Sequence, residues 1–302
     1  MARPLRVQYH GAVYHVTCRG NERREIFKDD RDRKTFLEIL TQSIKTYNIR
    51  LYSYVLMGNH SHLLIETLLG NLGEFMRQFN ITYTSYFNRR HKRAGHLYQG
   101  RYKSIIVEKN EYLSVLSRYI HLNPVRIKQM KDKTEKEKME YLMDYRWSSL
   151  SGYTRKSKKE GYIDYEMVLG EYGGDNDKGR QAYRKRINAD ITAGLEIKGK
   201  IIGQSVLGGD RFIEWIKEKY LRGEKDRECP ALREIQRHRA KEQIIEAIEK
   251  EIGESFEEIK TARGEMRQIT MDVFVLFQVV FFHAARLCRG RNSFKNKHIS
   301  TL

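Results

Sequence analysis

Apolar positions along this chain follow two periods, and the order in which the periods alternate predicts a fold. Residues 12 to 18, AVYHVTC, are mostly β-branched and aromatic, follow Gly11 and close at Gly20, which predicts a strand. The next stretch, DDRDRKTFLEILTQSIKTYN, carries Phe36, Leu37, Leu40, Ile44 and Tyr47 at helical spacing, with Asp29 or Asp30 placed to cap it. IRLYSYVLM and HSHLLIET then read as two strands joined at a Gly58-Asn59 turn. Residues 72 to 90 return to the helical period, with Leu72, Phe75, Met76, Phe79, Tyr83 and Tyr86 or Phe87 on one side. YKSIIVE predicts a fourth strand, and a helix over 110–123 is closed by Pro124. The order β-α-β-β-α-β is the split-βαβ, ferredoxin-like pattern. The predicted class is α+β: an antiparallel sheet with helices, followed by an α-helical C-terminal region.

Past residue 130 the periodicity weakens. KDKTEKEKME (131–140) is a charge run that reads as a solvated helical insertion. Residues 151–200, rich in Gly, Lys and Tyr, read as a linker with short helices. Helical pattern resumes at DRFIEWIKEKYL and continues through ALREIQRHRAKEQIIEAIEKEIG, and Ser255 and Glu258 form a capping-box pair. No internal repeat is evident. The longest apolar run, VFVLFQVVFF at 273–282, is too short to span a bilayer, and the N-terminus has no apolar core of a signal peptide.

Charge narrows the choice of partner. The 302 residues carry a formal charge of +18, and the isoelectric point is about 9.7. A charge that large repels itself unless a polyanion is the working partner. Nucleic acid leads, because Lys and Arg neutralising phosphates drive non-specific binding; an anionic membrane surface is the weaker alternative. Three scattered cysteines, Cys18, Cys229 and Cys288, argue against a disulfide framework and a Cys-rich zinc site and fit a reducing cytoplasm.

Within YVLMGNHSHLLIE, strand alternation puts His60 and His62 on one face and Ser61 on the other. Two imidazoles so placed can share a metal ion, or be satisfied core histidines. On the helix ending at Pro124, Tyr119 and Asn123 are four apart and share a face. An asparagine carbonyl oxygen is a ligand that hard divalent ions accept, although a residue before proline is pushed out of helical geometry. The bland alternative makes Tyr119 a core tyrosine and Asn123 a C-cap. Between residues 86 and 103, Arg89, Arg90, Lys92, Arg93, Arg101 and Lys103 interleave with Tyr86, Phe87, Tyr98 and Tyr102. Cations for a backbone and rings for unstacked bases make the composition of a single-strand groove; Tyr98 and Tyr102 are the candidate platforms. Arg3 and Arg6 form a candidate second arm. The alternative is a solvated basic loop with core aromatics at its edges.

GAVYHVTCRGNERREIF, YVLMGNHSHLLIET, FNRRHKRAGHLYQGRYKSIIVE, LSRYIHLNPVR and YRWSSL, taken in order, resemble the REP-associated tyrosine transposase family, relatives of the single-strand transposases of the HUH endonuclease class. The resemblance covers residues 1 to about 155. It implies that His60 and His62 bind a divalent metal, Mg²⁺ or Mn²⁺, that Asn123 occupies the third ligand position, and that Tyr119 is the nucleophile. It further implies cleavage of single-stranded DNA through a 5′-phosphotyrosine and a substrate of palindromic repeats that fold into hairpins. The expected location is the bacterial cytoplasm, nucleoid-associated, and monomer and homodimer both stay open. Ser61 stands where the family usually has a bulky apolar residue.

EQIIEAIEKEIGESFEEIKTARGEMRQITMDV resembles the first helices of a DnaA-type helix-turn-helix domain, but the text after Val273 does not continue as a recognition helix, and a frameshift or truncation is the expected cause. The expected division is therefore a catalytic domain over 1–155, a linker and helical region over 156–225, and a helix-turn-helix-like domain over 226–302. The competing function is a non-cleaving regulator that binds DNA hairpins.

Overall fold

The computed structural model describes residues 7–222 and 230–238, with a few further positions up to Ser255. The four strands at its centre are those the alternation predicts: β1 (Ala12–Arg19), β2 (Ile49–Met57), β3 (His60–Thr67) and β4 (Lys103–Val107). They pair antiparallel in the spatial order β2-β3-β1-β4, the arrangement a ferredoxin-like chain order requires. Helix α1 (Asp30–Thr46) joins β1 to β2, and α2 (Leu72–Arg90) joins β3 to β4.

Both crossover helices cover one face of the sheet. Asp29 caps α1 by accepting from the Asp32 amide at 3.0 Å. Phe36, Leu40 and Ile44 of the α1 stripe are buried, as are Leu72, Phe75, Met76, Phe79, Tyr83 and Phe87 of α2. Phe36 meets Phe79 edge-on at 4.9 Å and Tyr83 at 5.0 Å, locking the two helices together. Cys18, on this face, is buried and its thiol faces Asn80 of α2 at 3.7 Å.

The opposite face belongs to α3 (Lys109–His121). Ser53 of β2 and Ser117 of α3 are joined by a hydroxyl–hydroxyl bond of 2.6 Å. The helix stops two residues short of the expected end. Asn123, Pro124 and Val125 form a single 3₁₀ turn, which tolerates a proline better than an α-helix interior does.

Residues 131–140 enter α4 (Glu135–Asp144), an exposed helix capped by a Thr134–Glu137 box, in keeping with a solvated insertion. The stretch over 156–225, expected as a linker and helical region, is helical through much of its described length. Short helices α5 (Leu150–Thr154) and α6 (Glu166–Gly170) lead into a 17-residue helix, α7 (Asp177–Ala193), whose Tyr183 and Ile187 are fully buried. Tyr183 bonds Ser117 and His121 of α3 at 2.9 and 2.8 Å, and Arg118 pairs with Asp190 at 2.5 Å. The scattered tyrosines of this stretch gave no helical period because their buried partners lie on other elements. Backbone bonds Leu56 N to Trp147 O, Ser149 N to Tyr54 O and Asp164 N to Leu51 O cover the free edge of β2, which would otherwise invite pairing with another chain.

Two further strands extend the sheet beyond β4: β6 (Val206–Leu207), parallel to it, and β5 (Ile201–Ile202), antiparallel to β6. Helices α8 (Asp210–Tyr220) and α9 (Pro230–Arg237) follow where the helical pattern resumes. The chain divides into a unit ending at His238 and a second beginning at Arg239. Apart from a few positions up to Ser255, the helix-turn-helix resemblance lies outside the described residues, as do the expected break after Val273, Arg3 and Arg6. Among the described residues no helix is long and apolar enough to cross a membrane.

Candidate functional site

Strand register builds the site. β1 and β3 pair Thr17 with His62 and Arg19 with His60, so His15, Thr17, Arg19, His60 and His62 share the face that α3 covers. β4 pairs Lys103 with Thr17, placing that lysine on the same face.

Each histidine of the pair has its Nδ1 engaged. Nδ1 of His60 lies 2.6 Å from Asn59 Oδ1; an amide oxygen only accepts, so His60 donates from Nδ1 and keeps its lone pair on Nε2. Nδ1 of His62 lies 2.8 Å from His15 Nε2 and 3.2 Å from Thr17 Oγ1. With the proton on His62 Nδ1, both neighbours can accept it, and Nε2 of His62 is likewise free. The two rings stand 5.1 Å apart at 77°. Burial, reinforced by the charge of Arg19, pushes His60 down to about 4. Burial, then the neighbouring His15, His60, Arg19 and Arg126, push His62 well below the usual imidazole range. Both are therefore neutral at pH 7, the form that ligates a metal.

Tyr119 faces the same cluster. Its ring lies 6.2 Å from that of His15 at 76°, and His15 stacks on His62 at 5.0 Å. Tyr119 is 8% exposed. The guanidinium carbon of Arg126 sits 4.2 Å from the Tyr119 ring centre. Asn123 Nδ2 donates to the carbonyls of Tyr119 and Ile120 at 3.0 and 3.1 Å. The amide thus caps α3, as the bland reading has it, while Oδ1 remains available to accept a cation. Among the described residues no three His, Cys, Asp or Glu side chains group to hold a metal. Arg118 and His121, sequence neighbours of Tyr119, point away from it: Arg118 is buried against Asp190, and His121 bonds Tyr183 and Ser149.

The predicted DNA contacts divide. Arg89, Lys92, Arg101 and Lys103 are exposed and can reach phosphates. Arg93 organises its own loop, bonding Asn88 Oδ1 at 3.1 Å and the His96 carbonyl at 2.7 Å. Arg90 is a correction: its guanidinium bridges Asp29 and fully buried Asp32 at 2.5 Å, tying the end of α2 to the start of α1. Tyr98 and Tyr102 are a second correction. Both are buried, because Gly20 bridges Tyr98 and draws the loop onto the sheet, so neither stands out as a stacking platform. They line, with Arg77 and Arg101, a groove of about 920 Å³ between α2 and the 95–102 loop.

His15, Arg19, Asn59 and Arg126 were not legible as site residues from the paired histidines alone. The available signal was the alternation of His15, Thr17 and Arg19 along β1, which any partner strand carrying His60 and His62 would bring to the same face.

The ferredoxin-like sheet thus presents two neutral imidazoles beside a helix-borne phenol. Residues 8–123 match the family model described as "Transposase IS200 like". A solved structure described as "Structure of the REP associates tyrosine transposase bound to a REP hairpin" is 12% identical, with a TM-score of 0.42 over 55% of this chain and 93% of that chain. Comparison with curated proteins finds no match.

Proposed function

We propose that this protein is a metal-dependent single-strand DNA endonuclease and strand transferase that acts on hairpin-forming repeats through a phosphotyrosine. The observation that carries the reading is the pair of free Nε2 atoms, on His60 and His62, set on the sheet face that also holds Tyr119. The match of residues 8–123 to a transposase family model supports DNA strand transfer as the reaction class, and the charge of +18 supports a polyanionic substrate.

His60, His62 and the Asn123 carbonyl would hold a Mg²⁺ or Mn²⁺ ion. When bound, the ion supplies Lewis-acid polarisation of the phosphodiester. The residues do the rest. Tyr119 Oη attacks the phosphorus and forms the P–Oη bond; the P–O3′ bond breaks, the phenolic proton is lost, and the departing 3′ oxygen leaves as a hydroxyl. The 5′-phosphotyrosine retains the energy of the broken bond, so a second 3′-OH can displace Tyr119 without ATP. Lys103 and Arg19, on the same face, would seat the flanking phosphates. The other exposed cations, Arg89, Lys92 and Arg101, would extend that path.

The experiment is incubation of labelled hairpin DNA carrying a short single-stranded foot with protein and Mg²⁺, resolved on a denaturing gel. The expected result is a covalent protein–DNA band that chelation abolishes and Tyr119→Phe removes. A gel shift with no covalent band in the wild type would instead identify a hairpin-binding regulator.

A further inference from the structure

Arg126 occupies a position that the paired-histidine motif does not account for. It follows the 3₁₀ turn that ends α3, its amide bonding the Asn123 carbonyl at 3.1 Å, and the turn folds its side chain back over Tyr119. At 4.2 Å from the ring centre, the guanidinium is close enough for a cation–π contact. Residues from the C-terminal helices hold it there. Gly194, in the left-handed conformation at φ 65°, ends α7 and turns the chain, with Leu195 N bonded to the Asp190 carbonyl. The Leu195 carbonyl then accepts from Arg126 Nη2. A carbonyl is neutral, so this bond aims the charge, while Glu196 and Asp190 lie near enough for their charges to be felt at the guanidinium. Guanidinium has five N–H donors; besides the Leu195 carbonyl, the Tyr119 side chain also shares a hydrogen bond with it, other donors remain for a ligand, and Arg126 is exposed. On its other side Arg126 lies near enough to His62 for its charge to be felt there.

We infer that Arg126 is a positioning residue for the reaction: it fixes the Tyr119 ring by stacking on it and presents its remaining donors to the phosphate at the histidine pair. The residue that aims it, Leu195, lies outside the 8–123 segment that matches the family, so the α7 end is part of the catalytic architecture. This inference rests on the proposed nuclease reading for its kinetic consequence, but not for the ring contact.

Two measurements separate the claims. In the first, 3-fluorotyrosine is placed at position 119 of the full chain and its ¹⁹F resonance compared between wild type, Arg126→Lys and Arg126→Ala without DNA. The resonance is expected to shift and broaden in both variants, because Lys lacks the planar group that stacks. An unchanged resonance overturns the inference whether or not the protein cuts DNA. In the second, single-turnover cleavage of the foot-bearing hairpin is followed alongside hairpin affinity. Arg126→Ala is expected to lose about a hundredfold in rate, as removal of one aimed donor typically does, with affinity changed only a few-fold. Tens of millimolar guanidinium should restore part of the rate to Arg126→Ala and none to Tyr119→Phe. A wild-type rate in Arg126→Ala, or a loss confined to affinity, overturns the inference. If Arg126→Ala melts early, Arg126→Lys carries the same comparison. A wild type that forms no adduct at all refutes the nuclease reading and leaves the ¹⁹F result to decide the ring contact.

Discussion

His15 Nε2 lies 2.8 Å from His62 Nδ1, so the inner histidine of the pair is oriented by a third imidazole from the neighbouring strand. His15 is buried, and its own Nδ1 has no hydrogen-bond partner in the structure. A buried polar atom left without a partner is costly, and the arrangement makes sense if the bond at the other end of the ring matters. Partners of this kind fix the tautomer and raise the basicity of a ligating imidazole. His15→Leu should therefore weaken Mn²⁺ binding by about tenfold or more, measured by calorimetry on the DNA-free protein, while His15→Gln, which keeps an acceptor, should lose less. Equal affinity in all three would mean that the contact is mere packing.

Buried neutral histidines make the fold sensitive to acid. Burial holds His15 at about 4 and His121 at about 3, below the usual 6.5. The unfolded chain thus takes up protons that the folded chain refuses. Stability from these groups is fully present above pH 6.5 and is lost as pH falls towards 4 and then 3. Each contributes on the order of a few kcal/mol across that window. Chemical denaturation at pH 7.5, 5.5 and 4.5 should show a falling midpoint, and His121→Gln should reduce the slope. A midpoint independent of pH in the wild type would contradict the burial of these rings.

The packing of α7 against α3 is a set of buried polar bonds. Arg118 and Asp190 are both buried, and removing one partner strands the other charge. Asp190→Ala should cost about 3–5 kcal/mol. Tyr183→Phe, which removes bonds to Ser117 and His121, should cost about 1–3 kcal/mol. Both can be read from urea midpoints. Changes near zero would show that α7 is not built into the domain.

The basic segment should behave as two kinds of residue. Lys92 and Arg101 are exposed, so replacing either with Ala should reduce the salt slope of single-strand binding by about 0.7 for each phosphate the side chain neutralises. Arg90→Ala should leave that slope unchanged and lower the melting temperature, because its partners are Asp29 and Asp32. A lower slope with unchanged melting in Arg90→Ala would restore it as a DNA contact.

Much of this was legible in the chain. Period-2 runs placed β1 to β4 within a residue or two, and the helical stripes of α1 and α2 named most of the residues that bury, Leu37 and Tyr47 being only partly buried. Tyr119, His60 and His62 share one sheet face, as alternation and helix spacing implied. What escaped were features set by distant partners. Arg90 looked like its basic neighbours because Asp29 and Asp32, which claim it, lie 61 and 58 residues away. The length of helix α7, read as one of several short helices, was hidden because its polar buried groups, Tyr183 and Asp190, are satisfied across an interface rather than by an apolar stripe. Arg126 was hidden for the same reason, its orientation depending on Leu195, 69 residues on.

The most direct measurement is the identity of the covalently modified residue. Protein trapped on a hairpin substrate with Mg²⁺, digested and sequenced by mass spectrometry, should yield one nucleotide-bearing peptide, LSRYIHLNPVR, modified on Tyr119. Modification of a different tyrosine, or full hairpin binding with no modified peptide, would contradict the account.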